Sequence, residues 1–141
     1  METKKFTGIV LQVHTDAISK VSYIKVLTQD SVESYKLPTS QENYKFGYLL
    51  SPKKIITGEL IKTRKNWVLT TVLETRDLWQ PQTFADYIRL TESIGYLSET
   101  LKEGEVTDIF SKVEEYFNCL KETLNPKEFE LFLMKNLGFA S

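Results

Sequence analysis

Cysteine and histidine are scarce in this 141-residue chain, which holds one of each, Cys119 and His14. A single cysteine cannot form an internal disulfide, which excludes the small secreted domains that disulfides hold together. One histidine and one cysteine also cannot complete a four-ligand zinc site without carboxylates. The sequence therefore predicts neither a metal nor another cofactor, and it favours a cytoplasmic protein.

Catalytic motifs are missing as well. The six glycines form no phosphate-binding loop and no dinucleotide fingerprint. His14 has no neighbouring Cys, Ser or paired acid to activate it, so we expect an ordinary, partly exposed histidine. Cys119 precedes the apolar Leu120, and we expect a buried, inert thiol there. These absences indicate a binding protein and not an enzyme.

Long apolar runs are absent too. The stretch Phe6–Val13 follows Lys4 and Lys5, but it is too short for the apolar region of a secretory signal and contains polar residues. No stretch approaches the roughly 20 apolar residues that a membrane-spanning helix needs. The sequence predicts no secretory signal and no membrane partner.

The chain changes character at Trp79-Gln80-Pro81. Apolar residues before this point form short β-branched runs, and after it they recur every three or four residues. Residues 1–78 hold 12 Lys+Arg and 8 Asp+Glu, whereas residues 79–141 hold 6 and 11. A basic β half joined to an acidic helical half is typical of a binding protein.

The first half predicts five strands, which are Phe6–Val13, Lys20–Thr28, Val32–Leu37, Lys54–Lys62 and Trp67–Thr75. Gly8 and Gly58 interrupt strands where a small barrel has to bend. An open sandwich of this size would leave strand edges uncovered. The predicted fold class is α+β, with a five-stranded OB-fold-like barrel over residues 1–78 and a three-helix domain over residues 79–141.

The second half predicts three helices. Thr83 is placed to cap the first, with Asp86 at the capping-box position and Gly104 at its end. Asn125 and Pro126 open the third, and Gly138 is expected to end it. The predicted apolar face of the first helix is Phe84, Tyr87, Ile88, Thr91, Ile94, Leu97 and Leu101. That of the second is Val106, Ile109, Phe110, Val113, Phe117, Leu120 and Leu124, and that of the third is Phe129, Phe132, Leu133 and Leu137.

A candidate nucleic-acid site lies in the β half. Five cations fall within 13 positions and an indole follows them: Lys53, Lys54, Lys62, Arg64, Lys65 and Trp67. Three aromatic residues come just before, namely Tyr44, Phe46 and Tyr48. Cations that follow phosphates and rings that stack on bases are what single-stranded nucleic acid requires. The alternative is that the rings fill the barrel and the lysines protect its edges.

Six stretches match successive elements of one family in order and spacing. They are Thr7–Leu11, Ser19–Thr28, Tyr48–Pro52, Trp67–Arg76, Tyr96–Phe110 and Glu128–Phe139. Together they resemble the RecO family of bacterial recombinational DNA repair proteins, over nearly the whole chain.

The resemblance implies an oligonucleotide-binding barrel followed by helices, and a non-enzymatic role in recombination at the bacterial nucleoid. It implies binding and annealing of single-stranded DNA, with double-stranded DNA as a further ligand. RecR and single-strand-binding protein are the implied protein partners, and loading of RecA is the implied outcome.

Two departures from the family pattern bear on this expectation. The family's basic loop after the third strand corresponds here to Lys36–Gln41, in which only Lys36 is basic. Lys36 therefore joins the candidate DNA contacts, and the main site is expected at Lys53–Lys65. Many members also carry a four-cysteine zinc element beyond the glycine that corresponds to Gly138, and the sequence stops before it. A truncated chain and a reduced family member both remain open.

An adaptor protein with an OB-like barrel and little or no DNA binding is the alternative function. The acids of the helical half, such as Glu103, Glu105, Glu114 and Glu115, are expected to lie on a solvated face or to meet a basic partner. Ordinary packing between helices is expected for apolar positions such as Leu90 and Tyr116, with a small protein-binding pocket as the alternative.

Overall fold

The computed structural model describes residues 2–38, 50–106, 108–120 and 124–137. Its architecture is α+β, with a six-stranded sheet and three helices. The strands are β1 (Thr3–Thr15), β2 (Ser22–Thr28), β3 (Ser31–Lys36), β4 (Lys54–Lys62), β5 (Trp67–Asp77) and β6 (Gly104–Glu105). The helices are α1 (Phe84–Thr100), α2 (Ile109–Cys119) and α3 (Pro126–Leu137).

The first five strands form a ring. β1 pairs antiparallel with β2 and β4, β2 with β3, and β4 with β5. One parallel contact, between Lys36 and Val68, joins β3 to β5 and closes the ring of paired strands. The sixth strand, β6, adds to β3 on the other side. All five predicted strands are confirmed, and the bounds of β4 match the prediction residue for residue.

An apolar core fills the inner face of this ring, as strand alternation requires. It contains Phe6, Val10, Ile24, Val26, Tyr35, Leu37, Leu50, Ile56, Leu60 and Leu69, with Trp67 and Val72 packed against it. Gly58 lets two strands approach within this core, because a Cβ there would lie 2.8 Å from Leu69 Cδ1 and 2.9 Å from Phe6 Cε1. The β4–β5 register shifts beside Gly58, as predicted. The shift in β1 falls between Val10 and Gln12, away from Gly8.

A second core joins the outer face of the sheet to the helices. The sheet contributes Ile9, Leu11, Leu27, Val32 and Ile55. The helices and the segments around them contribute Leu78, Leu90, Ile94, Leu97, Leu101, Ile109, Phe110, Val113, Phe117, Leu124, Phe129 and Leu133. The apolar packing thus crosses residue 78, where the predicted domain boundary lies. Whether the two halves are separate domains stays a prediction.

Polar contacts fix where the helices begin and end. Thr83 Oγ1 accepts a hydrogen bond from the Asp86 backbone N–H at 3.0 Å, so the predicted cap of α1 is confirmed. Asn125 Oδ1 accepts from the N–H groups of Lys127 and Glu128 and caps α3 as predicted. At the other end of α1, Lys25 Nζ donates to the carbonyls of Ser98 and Leu101 at 2.5 and 2.6 Å. This lysine ties β2 to a helix C-terminus, where positive charge is favoured.

The structure corrects the predicted apolar face of α1. Its buried residues include Leu90, Ile94 and Leu97, whereas Phe84, Tyr87 and Ile88 are exposed. Leu90 is 2% exposed and packs in the core as expected, and it also lines a pocket with Tyr87 and Lys53. Tyr116 packs against the same core and contacts the Phe129 and Phe132 rings.

Three further expectations, on the end of α1, the start of α2 and the burial of Cys119, are wrong. α1 ends at Thr100, and Gly104 lies beyond it in β6 with a φ of 131°. α2 begins at Ile109, so Val106 precedes the helix and donates its backbone N–H to Asp30 O. Cys119 is exposed at the last position of α2, and the prediction of a buried thiol is wrong. Tyr44, Phe46, Tyr48 and Gly138, which carried other expectations, lie outside the described residues.

No helix in the described part of the chain is long and apolar enough to cross a membrane.

Candidate nucleic-acid interface

The predicted DNA contacts do not form one patch. Lys62, Arg64, Lys65 and Trp67 lie at the β4–β5 turn, which follows the C-terminal end of β4. Lys53 and Lys54 lie at the N-terminal end of the same strand. Strand β4 is nine residues long and contains both Lys54 and Lys62, so Lys53 lies about 30 Å from Lys62 when the strand is extended. The predicted contacts over Lys53–Lys65 thus form two separate groups, because a strand places its two ends far apart, and their contact with DNA stays a prediction.

The group at the turn is built around Trp67. This ring closes the end of the inner core, and Trp67 pairs across the ladder with Lys62. Lys62 Nζ lies 5.2 Å from the centroid of the Trp67 ring, and Lys4 Nζ lies 4.3 Å from it. Lys4 Nζ is also 5.8 Å from the Tyr35 ring. We call Lys4, Tyr35, Lys62 and Trp67 the Trp67 cluster.

Two further cations extend this cluster into solvent. Arg64 and Lys65 are exposed at the tip of the turn. The turn is held closed because Asn66 O accepts hydrogen bonds from the backbone N–H of Thr63 at 2.8 Å and from its Oγ1 at 3.0 Å. Arg64 lies two positions beyond the end of β4 and belongs to the turn. The arrangement is a half-buried indole flanked by ammonium groups, with two exposed cations beside it.

The group at the N-terminal end of β4 has a different composition. Lys54 Nζ forms an ion pair with Asp77 Oδ1 at 2.8 Å. Lys53 Nζ lies 3.6 Å from the centroid of the Tyr87 ring, and it donates to Thr91 Oγ1 at 3.2 Å. The Tyr87 ring stacks on Phe84 with 6.4 Å between centroids and 17° between planes. We call Lys53, Phe84 and Tyr87 the Tyr87 cluster.

Lys36, the remaining predicted contact, lies on the outer face of the ring. It pairs with Tyr23 in β2 and Val68 in β5, while its neighbour Tyr35 faces the inner core. Its side chain therefore leaves the sheet on the face opposite to Trp67, and the structure does not bring Lys36 into either cluster.

Four residues of these clusters, namely Lys4, Tyr35, Phe84 and Tyr87, are not among the contacts predicted from the sequence. Lys4 was noted only as a charge before the first strand, but its register partner Leu60 brings it to the Trp67 end of the ring. Strand alternation could have identified Lys4, because it lies two positions before the core residue Phe6 in β1 and so on the same face of the strand. Phe84 and Tyr87 were assigned to the buried face of α1. No feature of the sequence alone separates them from Leu90.

The two clusters hold tyrosines with opposite electrostatics. Burial raises the pKa of the Tyr35 hydroxyl strongly, and the negative charges of Glu33 and Asp30 raise it further. Hydrogen bonding with the Lys53 ammonium, and then its positive charge, hold the pKa of Tyr87 below the ordinary value of 10.0. The nearby lysine thus has the largest effect on the pKa of the exposed phenol, whereas desolvation has the largest effect on the pKa of the buried one.

A groove of about 380 Å³ opens beside the Trp67 cluster, between the start of β1 and the β2–β3 turn. Its lining includes Lys4 and Lys5, but also Asp30 and Glu33. These carboxylates oppose a polyanion at close range. A nucleic acid that used Trp67 would therefore approach from the side of the Arg64–Lys65 turn.

Other candidate groups are ordinary surface residues. His14 is exposed, and its ring stacks on Tyr23 with 5.6 Å between centroids. Glu103, Glu105 and Glu115 are exposed, as predicted for a solvated face, and Glu114 forms an ion pair with Arg76 at 2.6 Å. Within the described ranges, no group of three His, Cys, Asp or Glu side chains could hold a metal ion.

Comparison of the chain with protein-family models gave no match, and a search of curated proteins found no relative.

Proposed function

We propose that this chain is a single-stranded DNA-binding protein of the RecO type, with an OB-fold-like barrel as its binding module. The observation that carries the proposal is the Trp67 cluster beside the Arg64–Lys65 turn. An indole ring with two ammonium groups 4.3 and 5.2 Å away, next to two exposed cations, combines base stacking with phosphate attraction. The ring of five paired strands supports the proposal of an OB-fold-like barrel. Small barrels of this type bind ligands through their loops, and the Arg64–Lys65 turn is such a loop.

The biological role in this proposal rests on the sequence resemblance. It comprises annealing of single strands and help with RecA loading, with RecR and single-strand-binding protein as partners and double-stranded DNA as a further ligand. No catalytic step is included, and the place of action is the cytoplasm at the bacterial nucleoid. The chemistry of the Trp67 cluster supports the DNA-binding part of this role.

An adaptor function is the second candidate, and two observations favour it. Residues 79–141 carry 11 Asp+Glu against 6 Lys+Arg, which repels a polyanion and attracts a basic partner. Lys36, the sole basic residue where the family has a basic loop, faces away from Trp67. An adaptor of this kind would bind a protein through the same sheet end and would show no affinity for oligonucleotides.

Binding to a single-stranded oligonucleotide at two salt concentrations tests the proposal. We expect affinity to fall steeply between about 50 and 200 mM salt, because each neutralised phosphate releases counterions. The double variant Arg64→Ala/Lys65→Ala should bind about tenfold more weakly and lower the salt slope by about 1–2. Fluorescence anisotropy of a labelled oligonucleotide measures both quantities.

A matched control removes two exposed lysines from the helical half, Lys102→Ala/Lys135→Ala. It changes the net charge by the same amount and should leave binding and slope nearly unchanged. Circular dichroism should show that both double variants keep the wild-type fold, since all four side chains are exposed. No complex at micromolar protein in low salt would refute DNA binding and favour the adaptor. Equal losses in the two double variants would show that the turn is not the site.

A further inference from the structure

The exposed aromatic pair on α1 is not explained by the fold. Phe84 is 77% exposed and Tyr87 is 45% exposed, and the next residue, Ile88, is 40% exposed. Phe84 and Ile88 lie outside the buried face that Leu90, Ile94 and Leu97 form, and Tyr87 lies at its edge, where it lines a pocket with Leu90 and Lys53. Large apolar side chains grouped at the surface mark interaction sites more often than isolated ones do.

The cation of this cluster is held in place by the backbone. Lys53 has a φ of 87°, a conformation that disfavours residues other than glycine. Two backbone hydrogen bonds keep it there, from Lys53 N to Val10 O at 3.0 Å and from Leu78 N to Lys53 O at 3.1 Å. Such conformations persist where the surrounding structure enforces them, and they concentrate at functional sites. The backbone fixes where the Lys53 side chain starts, and contacts with Thr91 Oγ1 and the Tyr87 ring hold its ammonium group.

The composition of the cluster selects one class of ligand. Two nearly parallel rings with a lysine ammonium 3.6 Å from one centroid offer a base a stacking surface and a phosphate a counter-charge. An apolar protein surface would cover the same rings but would also remove the Lys53 ammonium from water, which is costly because Asp77, which lines the same pocket, already pairs with Lys54. A single strand brings its own phosphates and avoids that cost.

We propose that the Tyr87 cluster is a second contact for single-stranded nucleic acid, reached by a strand that already occupies the Trp67 cluster. This inference rests on the proposed function. Both clusters adjoin β4, which separates them by about 30 Å along the sheet. Oligonucleotide-binding barrels have site sizes of roughly 4–16 nucleotides, so a short oligonucleotide reaches one cluster and a long one can span both.

A length series of oligothymidylates tests this proposal. The wild type should bind a chain of about 16 nucleotides much more tightly than one of about 4. The double variant Phe84→Ala/Tyr87→Ala should lose about tenfold in affinity for the long chain, which corresponds to one lost stacked base. Its affinity for the short chain should not change, because Trp67 is intact. Tyr87→Phe should retain the long-chain affinity, since the ring is kept.

The matched control is Leu131→Ala on α3, which removes a side chain that is 56% exposed and outside both clusters. It should leave both affinities unchanged. Full long-chain affinity in the Phe84→Ala/Tyr87→Ala variant would overturn the second contact and assign the rings to a protein partner. Short-chain binding that survives in that case would leave the proposed function standing. Failure of the wild type to bind either chain would refute both proposals.

Discussion

The Trp67 cluster and the Tyr87 cluster use the same side-chain chemistry in different settings. Each places a lysine ammonium against an aromatic ring, at 4.3 Å in the first and 3.6 Å in the second. Trp67 is half-buried at the end of the inner core, whereas Tyr87 projects from a helix into solvent. A ring that also closes a core serves stability and binding together, while an exposed ring can serve binding alone.

The hydroxyl groups of Tyr35 and Tyr87 also differ between the two clusters, because their pKa values are shifted in opposite directions. Lys4 lies 5.8 Å from the Tyr35 ring, yet the pKa of Tyr35 is raised because its hydroxyl is desolvated near Glu33 and Asp30. The pKa of Tyr87 is lowered because nothing opposes the hydrogen bonding and charge of Lys53 to a comparable extent. Solvent exposure, more than the presence of a lysine, decides the sign of the shift.

A substitution at Gly58 in β4, the strand between the two clusters, should change the free energy of unfolding most. Gly58→Val should destabilise the protein by about 3 kcal/mol, because its side chain would collide with Leu69, Phe6 and the Thr71 carbonyl. Gly95→Ala is the matched control, since a Cβ at this helical position meets nothing within 4 Å. It should raise stability by roughly 0.5–1 kcal/mol. Urea unfolding followed by circular dichroism measures both, and a neutral Gly58→Val would contradict the close packing of β4.

A second prediction compares the two rings directly. Trp67→Ala should cost about 2–3 kcal/mol of stability, because it opens the end of the inner core. Phe84→Ala should change stability by less than about 0.5 kcal/mol, because the ring is largely in water. Denaturant midpoints of the two variants give the comparison. Similar losses of stability in the two variants would show that Phe84 also contributes to the folded core.

The smallest effect concerns pH. Tyr87 should ionise before Tyr35 in an ultraviolet absorbance titration, since the pKa of the first is lowered and that of the second is raised. The raised pKa of Tyr35 favours the neutral phenol in the folded state. Its contribution to stability is therefore complete below the unfolded value of 10.0 and is lost as pH rises above it.

Two single variants assign the signals of this titration. Tyr87→Phe should remove an ionisation step that precedes that of Tyr35, and Tyr35→Phe should reduce the loss of stability above about pH 10. A titration that Tyr87→Phe leaves unchanged at its start would contradict the contact between Lys53 and the phenol. Unchanged alkaline unfolding in Tyr35→Phe would show that burial of this hydroxyl is not what is lost.

The elements of the fold followed from local sequence patterns. Strand β4 matched its prediction because its flanks, Lys53 and Arg64–Asn66, carry clear polar breaks. The caps at Thr83 and Asn125 also held, because a cap depends on residues three positions apart. The face of α1 did not follow, since apolar residues surround much of the helix and only the position of the sheet decides which of them are buried.

The candidate site was predicted in part. The Arg64–Lys65 turn and Trp67 were found because they are neighbours in sequence. Lys4 was not, because it reaches Trp67 through a β1–β4 register that joins residues more than fifty positions apart. Lys53 was placed in the right strand region but with the wrong neighbours, since its contact Tyr87 comes from α1.

Local patterns are enough to predict an α+β chain, the positions of its strands, the caps at Thr83 and Asn125 and the grouping of basic residues along the chain. These features depend on periodicity and on contacts between residues close in the chain. Long-range packing divides the basic residues between the two ends of β4, turns Lys36 away from Trp67 and leaves Phe84 and Tyr87 exposed. Strand pairing and helix docking set these neighbours, and both join residues that are too far apart in the chain for local patterns to relate.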